Sequence, residues 1–380
     1  MRILYCMHSI YNPGGMERVL LNKVRYLVER KGWDVTIVTT DQKGRPPFYP
    51  FPPQVRMLDL RINYSDDNGL PVCRKVLGYL RRRRLHRRRL TELLLNGRFE
   101  VVVSLYPSES SFIPSIKDGS RKVLELHYCK FFRLQYGRGG LLGMADRWRT
   151  WQDERIVRRF DKFVVLTYED RGYWGHLPNI EVIPNAAMNL GTSYADVAAS
   201  RRVIAVGRLD YQKGFDRLIE AWREVQAGGR FADWRLDIYG QGEWRDMLNH
   251  RIDAYGLSAT ACIHPPTADI GEAYASSALL AMSSHYEGFP MVMIEAMACG
   301  LPVVTFGFKC GPADIIDTGR NGLVVPEGDI PGLARALVQV MEQPELRRRL
   351  GVEARRVVHT YSEEAVMERW LSLFASLVRA

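Results

Sequence analysis

At 380 residues, with 46% hydrophobic content, 8 Trp, 18 Tyr and 14 Phe, the chain has enough apolar material for two domain cores, which excludes intrinsic disorder. A net charge of +10 and a pI near 9.3 imply an anionic partner, for which nucleic acid, an anionic lipid surface and a nucleotide-activated substrate all qualify. The six cysteines show no Cys-x-x-Cys pair or zinc-like spacing, the start is apolar too briefly for a signal peptide, and no apolar run has membrane-spanning length, so a reduced, cytoplasmic setting without a transmembrane anchor is expected.

Ile3 to Met7 reads as a buried strand, followed by a loop ending in Gly14-Gly15 and a helix with Val19, Leu20, Val24 and Leu27 on one face. Paired glycines after a strand permit close backbone approach to a phosphate or sugar, and equally serve as a tight turn. Val35 to Thr39 continues a sheet, and Arg45 to Pro53, with five prolines in nine residues, is a surface loop. Further strands are expected at Val55 to Leu60, Val101 to Leu105, Val123 to Leu126 and Phe163 to Thr167, mostly apolar on both faces, as in a parallel sheet covered by helices.

Between these strands Arg81 to Arg89 forms a basic run within a helical pattern carried by Val76, Leu77, Leu80, Leu85 and Leu90. Such a helix lies on an anionic membrane or presents a solvated face. A second cationic, aromatic segment favours the membrane: Phe131, Phe132, Tyr136, Trp148 and Trp151 beside Arg133, Arg138, Arg147 and Arg149.

Ala186 to Ser200 is a polar connection of small residues, and it sets the expected boundary between a first domain at 1–187 and a second at 188–361. The second α/β series has strands at Val203 to Val206, Arg235 to Tyr239, Ala261 to His264, Ala278 to Met282, Pro302 to Phe306 and Leu323 to Val325. Its helices start near Phe215, Glu243, Ile270, Pro290 and Ile330. A last helix near 362–380 is expected to cross back onto the first domain.

Two loops of this half carry chemistry. Gly207-Arg208-Leu209-Asp210-Tyr211-Gln212-Lys213-Gly214 places two fixed cations between a strand and a helix, a set able to neutralise a diphosphate or simply to be solvated. Ser284 to Thr305 reads as a loop, a short helix from Met291 to Ala298 ended by Gly300, and a strand, with Pro290 as an early helical residue. The start of that helix is an anion site framed by Glu287 and Glu295. Both loops fall at the carboxyl edge of one parallel sheet, where ligands bind.

Gly-Arg-Leu-Asp-Tyr-Gln-Lys-Gly (207–214), Glu-Gly-Phe-Pro-Met-Val-Met-Ile-Glu (287–295) and Gly-Pro-Ala-Asp-Ile-Ile-Asp-Thr-Gly-Arg-Asn-Gly-Leu-Val-Val (311–325) together resemble a retaining glycosyltransferase of family four, of the bacterial surface-polysaccharide type. In the first half the likeness is looser, resting on Gly14-Gly15-Met16-Glu17, His127 and Ile183-Pro184-Asn185. The resemblance implies an α/β, GT-B fold of two Rossmann-like, doubly wound parallel-sheet domains facing a central cleft. It implies that Arg208 and Lys213 hold the donor diphosphate and that Glu295 receives the ribose hydroxyls. Glu287, with Gly288, Phe289, Pro290 and Met291, would contact the sugar, Gly14 and Gly15 would close on the phosphates, and His127 would touch the transferred sugar. The implied substrates are a nucleotide sugar, UDP before GDP, and a glycan or lipid-linked acceptor of polysaccharide, lipopolysaccharide or capsule synthesis. No Asp-x-Asp motif is present, which fits a site using Arg and Lys with no metal or other cofactor. Two other classes remain open at this point: a sugar-nucleotide epimerase of the same fold, and a basic nucleic-acid-binding protein, against which the lack of a recognised nucleic-acid motif counts.

Overall fold

The computed structural model describes residues 1–379 except 68, 70, 106–107, 135–138, 188–193 and 268. Tyr136 and Arg138, counted above with the aromatic segment, lie outside the described residues. In chain order the elements are β1 (Arg2–Met7), α1 (Gly15–Arg25), β2 (Asp34–Thr39), β3 (Arg56–Asp59), α2 (Val72–Gly97), β4 (Val101–Ser104), β5 (Arg121–Glu125), α3 (Gly140–Val157), β6 (Lys162–Val165), α4 (Tyr168–Trp174) and β7 (Ile180–Val182). There follow β8 (Arg202–Val206), α5 (Phe215–Gln226), β9 (Arg235–Tyr239), α6 (Arg245–Ala254), β10 (Ala261–His264), α7 (Ile270–Ala275), β11 (Leu279–Met282), α8 (Met291–Ala298), β12 (Val303–Phe306), α9 (Pro312–Ile315) and β13 (Gly322–Val325). Four helices close the chain: α10 (Ile330–Glu342), α11 (Pro344–Ala354), α12 (Val357–Tyr361) and α13 (Glu363–Arg379).

The chain divides into two compact units. One comprises Met1–Leu166, Arg171–Ile183 and Met367–Ala380, and the other Thr167–Asp170 with Pro184–Val366. The first holds a seven-stranded sheet in the order β3-β2-β1-β4-β5-β6-β7, the second a six-stranded sheet in the order β10-β9-β8-β11-β12-β13. Every ladder is parallel. Both are doubly wound: the order reverses between β1 and β4 in one and between β8 and β11 in the other, so each has a switch point where the loops leaving two adjacent strands diverge.

Burial explains most strands. Residues of β1, β2, β4 and β5 are covered on both faces, as unbroken Ile/Leu/Val runs require. The exception is β3, expected to be buried on both faces: it is the sheet's edge strand, and Arg56, Met57 and Leu58 are exposed. The second unit closes around Trp222 and Trp234, both fully buried. There Arg347 of α11 is also fully buried; its guanidinium donates to the carbonyls of Val197, Ala198, Val340 and Met341 over the face of Trp234, which satisfies a group that burial otherwise penalises.

The helix α2 shows that the arginine run is not a uniform basic face. His86 is buried and hydrogen-bonded to Tyr64, Arg82 grips Asp67 through two bonds at 2.9 and 3.1 Å, and Arg89 donates to the Leu60 carbonyl. Arg81, Arg84, Arg87 and Arg88 remain exposed. One helix turn brings every third or fourth residue to the same side, so a run this long necessarily points some arginines inward.

Candidate active site

In the second unit the switch point assembles the site. The loop leaving β8 carries Arg208 and Lys213, and the loop leaving β11 carries Ser284 and Glu287. Backbone and side-chain bonds hold the two loops to each other: His285 N–H donates to the Gln212 carbonyl (2.8 Å), and Ser283 Oγ to the Lys213 carbonyl (3.0 Å). The Tyr211 ring stacks on His285 with centroids 4.2 Å apart. Gly214 is required on two counts, since its φ of +59° is left-handed and a Cβ there would overlap the Ser283 carbonyl oxygen.

Glu287 is buried and its carboxylate is fully engaged. Oε1 receives Lys213 Nζ at 2.6 Å and Ser284 Oγ at 2.8 Å, and Oε2 receives Gln212 Nε2 at 3.1 Å. Arg208, by contrast, reaches into solvent with 68% of its side chain exposed, held by Gln212 Oε1 (2.7 Å) and Asp210 (3.1 Å). Lys213 is thus locked to a buried carboxylate, whereas Arg208, paired with Asp210, is open to solvent on the same short loop. Both sit at the end of the parallel sheet where positive charge favours a phosphate.

After Glu287 the chain passes Gly288 and Phe289 to α8. Pro290 is the N-cap, with ψ of 77°, one position earlier than expected, because the preceding loop must turn before helical dihedrals begin. The Met291 amide already donates to the Phe289 carbonyl (2.9 Å). Glu295, just over one turn along α8, is buried with Tyr274 Oη at 3.4 Å from its Oε2. Gln212, Ser284 and Tyr274, which touch the two glutamates, were not singled out by the sequence; only their positions inside the motifs or on the facing helix signalled them. Arg217 is a further such residue: it donates to the Ser283 carbonyl, packs on the Phe306 ring and has its pKa lowered by burial.

The first unit contributes a separate cluster. Gly14 has extended dihedrals, and a Cβ on it would overlap the carboxylate of Glu17, while Gly15 opens α1 with free space around it. The need at Gly14 is therefore close approach of a side chain, not a left-handed turn. Glu17 is buried, which raises its pKa, partly countered by its own backbone amide and by His127. His127 follows β5 and its side chain is 4% exposed, with Nε2 3.1 Å from Glu125 Oε1. The same oxygen lies 2.5 Å from Lys23 Nζ, which rests over the Trp370 ring. Burial alone would raise the Glu125 carboxyl, but Lys23 and His127 hold it below its usual range. Glu125 and His127 stand two residues apart, so strand alternation puts both on one face, a signal available in Leu-Glu-Leu-His.

Residues 13–187 match the family described as Glycosyltransferase Family 4, and residues 197–357 the one described as Glycosyl transferases group 1. The amylovoran biosynthesis glycosyltransferase AmsD of Erwinia amylovora is 29% identical over 97% of this chain and 98% of its own length. The lipopolysaccharide core biosynthesis glycosyltransferase LpsE of Rhizobium meliloti is 34% identical over 46% of this chain and 49% of its own. Among solved structures, a mutant of S. aureus TarM in complex with fondaparinux, alpha-GlcNAc-glycerol and UDP superposes with a TM-score of 0.76 at 17% identity, covering 98% of this chain and all of that one.

Proposed function

Given that the chain belongs to the glycosyltransferases, with a family 4 first half, a group 1 second half and the GT-B fold, we propose that it is a retaining, metal-independent enzyme moving a sugar from a nucleotide-diphosphate donor to a glycan or lipid-linked acceptor. The observation carrying this reading is the gathering of Arg208, Lys213 and the buried Glu287 at the β8–β11 switch point. Departure of a nucleoside diphosphate builds negative charge, and cations already in place stabilise it without reorganising in the transition state.

In the proposed reaction the acceptor oxygen bonds to the anomeric carbon on the face from which the diphosphate oxygen leaves, and the acceptor proton passes to the departing phosphate. Arg208 and Lys213 neutralise that phosphate. Glu287 stands beside the oxocarbenium-like centre as a fixed negative charge. Gly288 to Met291 contact the sugar and Glu295 receives the ribose hydroxyls; on the first unit, Gly14 and Gly15 are assigned to phosphate and His127 to the transferred sugar. UDP is favoured over GDP, in keeping with the UDP in the TarM complex. The named relatives act in amylovoran and lipopolysaccharide core biosynthesis, which supports a role in surface polysaccharide, lipopolysaccharide or capsule synthesis. These relatives are transferases, so the epimerase alternative gains nothing from them.

Among the described residues no helix is long and apolar enough to cross a membrane. We place the protein in the cytoplasm, meeting its acceptor at the inner face of the cytoplasmic membrane, with the exposed arginines between Arg81 and Arg89 supplying attraction. A panel of UDP- and GDP-sugars, incubated with the purified protein and scored for nucleotide release, tests the function: turnover of one donor is expected, and no turnover of any donor, with or without added glycan acceptors, contradicts it.

A further inference from the structure

The N-terminal turns of α2 touch the first unit at Gly78, which lies against Asp67, and at Tyr79, whose ring meets Tyr64, and they expose most of their other side chains. Val76, Leu77, Tyr79 and Leu80 are 54, 60, 47 and 45% exposed, and Arg74, Lys75 and Arg81 lie among them. On α3, Met144, Trp148 and Trp151 are likewise 65, 56 and 47% exposed. Large apolar side chains concentrated on two neighbouring helices of one unit are not the scattered exposure that a soluble surface tolerates. Between the helices lies a cavity of about 720 Å³ into which Lys75, Arg83, Arg149 and Arg155 project together with Tyr79, Trp148 and Trp151, and no acidic residue is among those lining it. Lys75 is offset in part by the Asp67 carboxylate of the same unit, whereas no acidic group among the described residues lines the cavity beside Arg83, Arg149 and Arg155; Arg155 lies 3.9 Å from the centre of the Trp151 ring, which leaves its guanidinium edge open to an anion.

We propose that this α2–α3 surface docks on a bilayer containing anionic phospholipid, with a lipid phosphate entering the cavity and Trp148, Trp151 and Leu77 seated in the interfacial layer. Cations bearing long stems, tryptophans and an apolar helix end are the chemistry that a water–lipid boundary selects. The centre of attraction thereby moves from the arginine run, three of whose seven arginines are bonded within the fold, to the turns before it and to the facing helix. The inference deepens the membrane-facing part of the proposed function, but its test needs no donor or acceptor.

Sedimentation with vesicles of phosphatidylcholine alone, or of phosphatidylcholine with phosphatidylglycerol, tests it at low and high salt. Binding to the anionic vesicles only, and weakened by salt, is expected. The triple reversal Lys75→Glu, Arg149→Glu, Arg155→Glu should lower the partition coefficient by about fivefold or more for each charge removed. Trp148→Ala with Trp151→Ala should weaken binding while leaving its dependence on anionic lipid. The reversal Arg84→Glu, Arg87→Glu, Arg88→Glu, on the exposed later turns, should cost less than the cavity triple. Unchanged thermal midpoints and circular dichroism show that the variants are folded. Binding to both vesicle types or to neither, or an equal or greater loss from the later-turn variant, overturns the proposal.

Discussion

Lys213 Nζ lies 2.6 Å from Glu287 Oε1, so the more buried of the two cations assigned to the donor diphosphate is paired with a buried carboxylate before any donor arrives. A diphosphate that takes the lysine must compete with Glu287. The same carboxylate then stands with less of its charge neutralised, next to the carbon where positive charge develops. The pair therefore couples donor arrival to the electrostatics of the reacting centre.

Binding and turnover should respond in opposite directions when that pair is broken. Glu287→Gln removes the competitor for Lys213 while keeping acceptor and donor atoms for Ser284 and Gln212, so the affinity for UDP should hold or rise. Turnover should fall by on the order of a hundredfold or more, the scale for loss of a preorganised charge. Isothermal titration alongside steady-state kinetics reads both; parallel losses in affinity and rate would mean that Glu287 is merely part of the binding surface.

Fixed cations make a divalent ion unnecessary in this account. Activity should persist after dialysis against EDTA, with kcat within about twofold of the untreated enzyme, since metals assist phosphate departure by the same charge neutralisation. Abolition by EDTA and recovery on adding magnesium would require a metal that the proposed mechanism does not use.

The buried Lys23–Glu125 pair makes a stability prediction. Lys23→Met should destabilise the fold by roughly 3–5 kcal/mol, because Glu125 is left charged, buried and short of a partner. Lys23→Met combined with Glu125→Gln should recover part of that loss, since the uncompensated charge is gone. Urea unfolding measures both, and a double variant no more stable than the single one would show that packing around the pair, not its charge, is what matters.

Much of the architecture was legible in the chain because both sheets are parallel and covered, so their strands are written as unbroken apolar runs from Ile3, Val101, Val203 and Val303. Three features were not. The edge strand β3 carries apolar residues that face solvent, and sequence does not reveal which strand of a sheet is outermost. The strand β7 has only three residues, too few for a pattern. In the helix α11, Arg347 looks like a surface residue and is instead buried on backbone carbonyls. At the site, the motifs themselves marked Arg208, Lys213, Glu287 and Glu295 as candidates. The bridging role of Gln212 depends on two loops meeting across 75 residues, and no local spacing encodes that.

Burial holds the pKa of His86 down to about 4, so this histidine is neutral in the fold and must be charged at low pH in the unfolded chain. A folded pKa below the unfolded one contributes stability above pH ~6.5 that is lost as the pH falls through the folded value. Wild type should lose on the order of 3 kcal/mol more than His86→Phe between pH 7 and about 4. Urea unfolding across that range measures the difference; curves that stay parallel would mean that the buried imidazole does not govern the acid limb.

The central claim is that the β8 and β11 loops bind a nucleoside diphosphate through Arg208 and Lys213, and calorimetric titration of UDP and GDP into wild type and into Arg208→Ala/Lys213→Ala tests it most directly. One nucleotide should bind wild type with a single site per chain, and the double variant should bind at least about a hundredfold more weakly, a loss of roughly 2.7 kcal/mol. Equal affinity in the two proteins, or binding of neither nucleotide to folded wild type, would contradict the account.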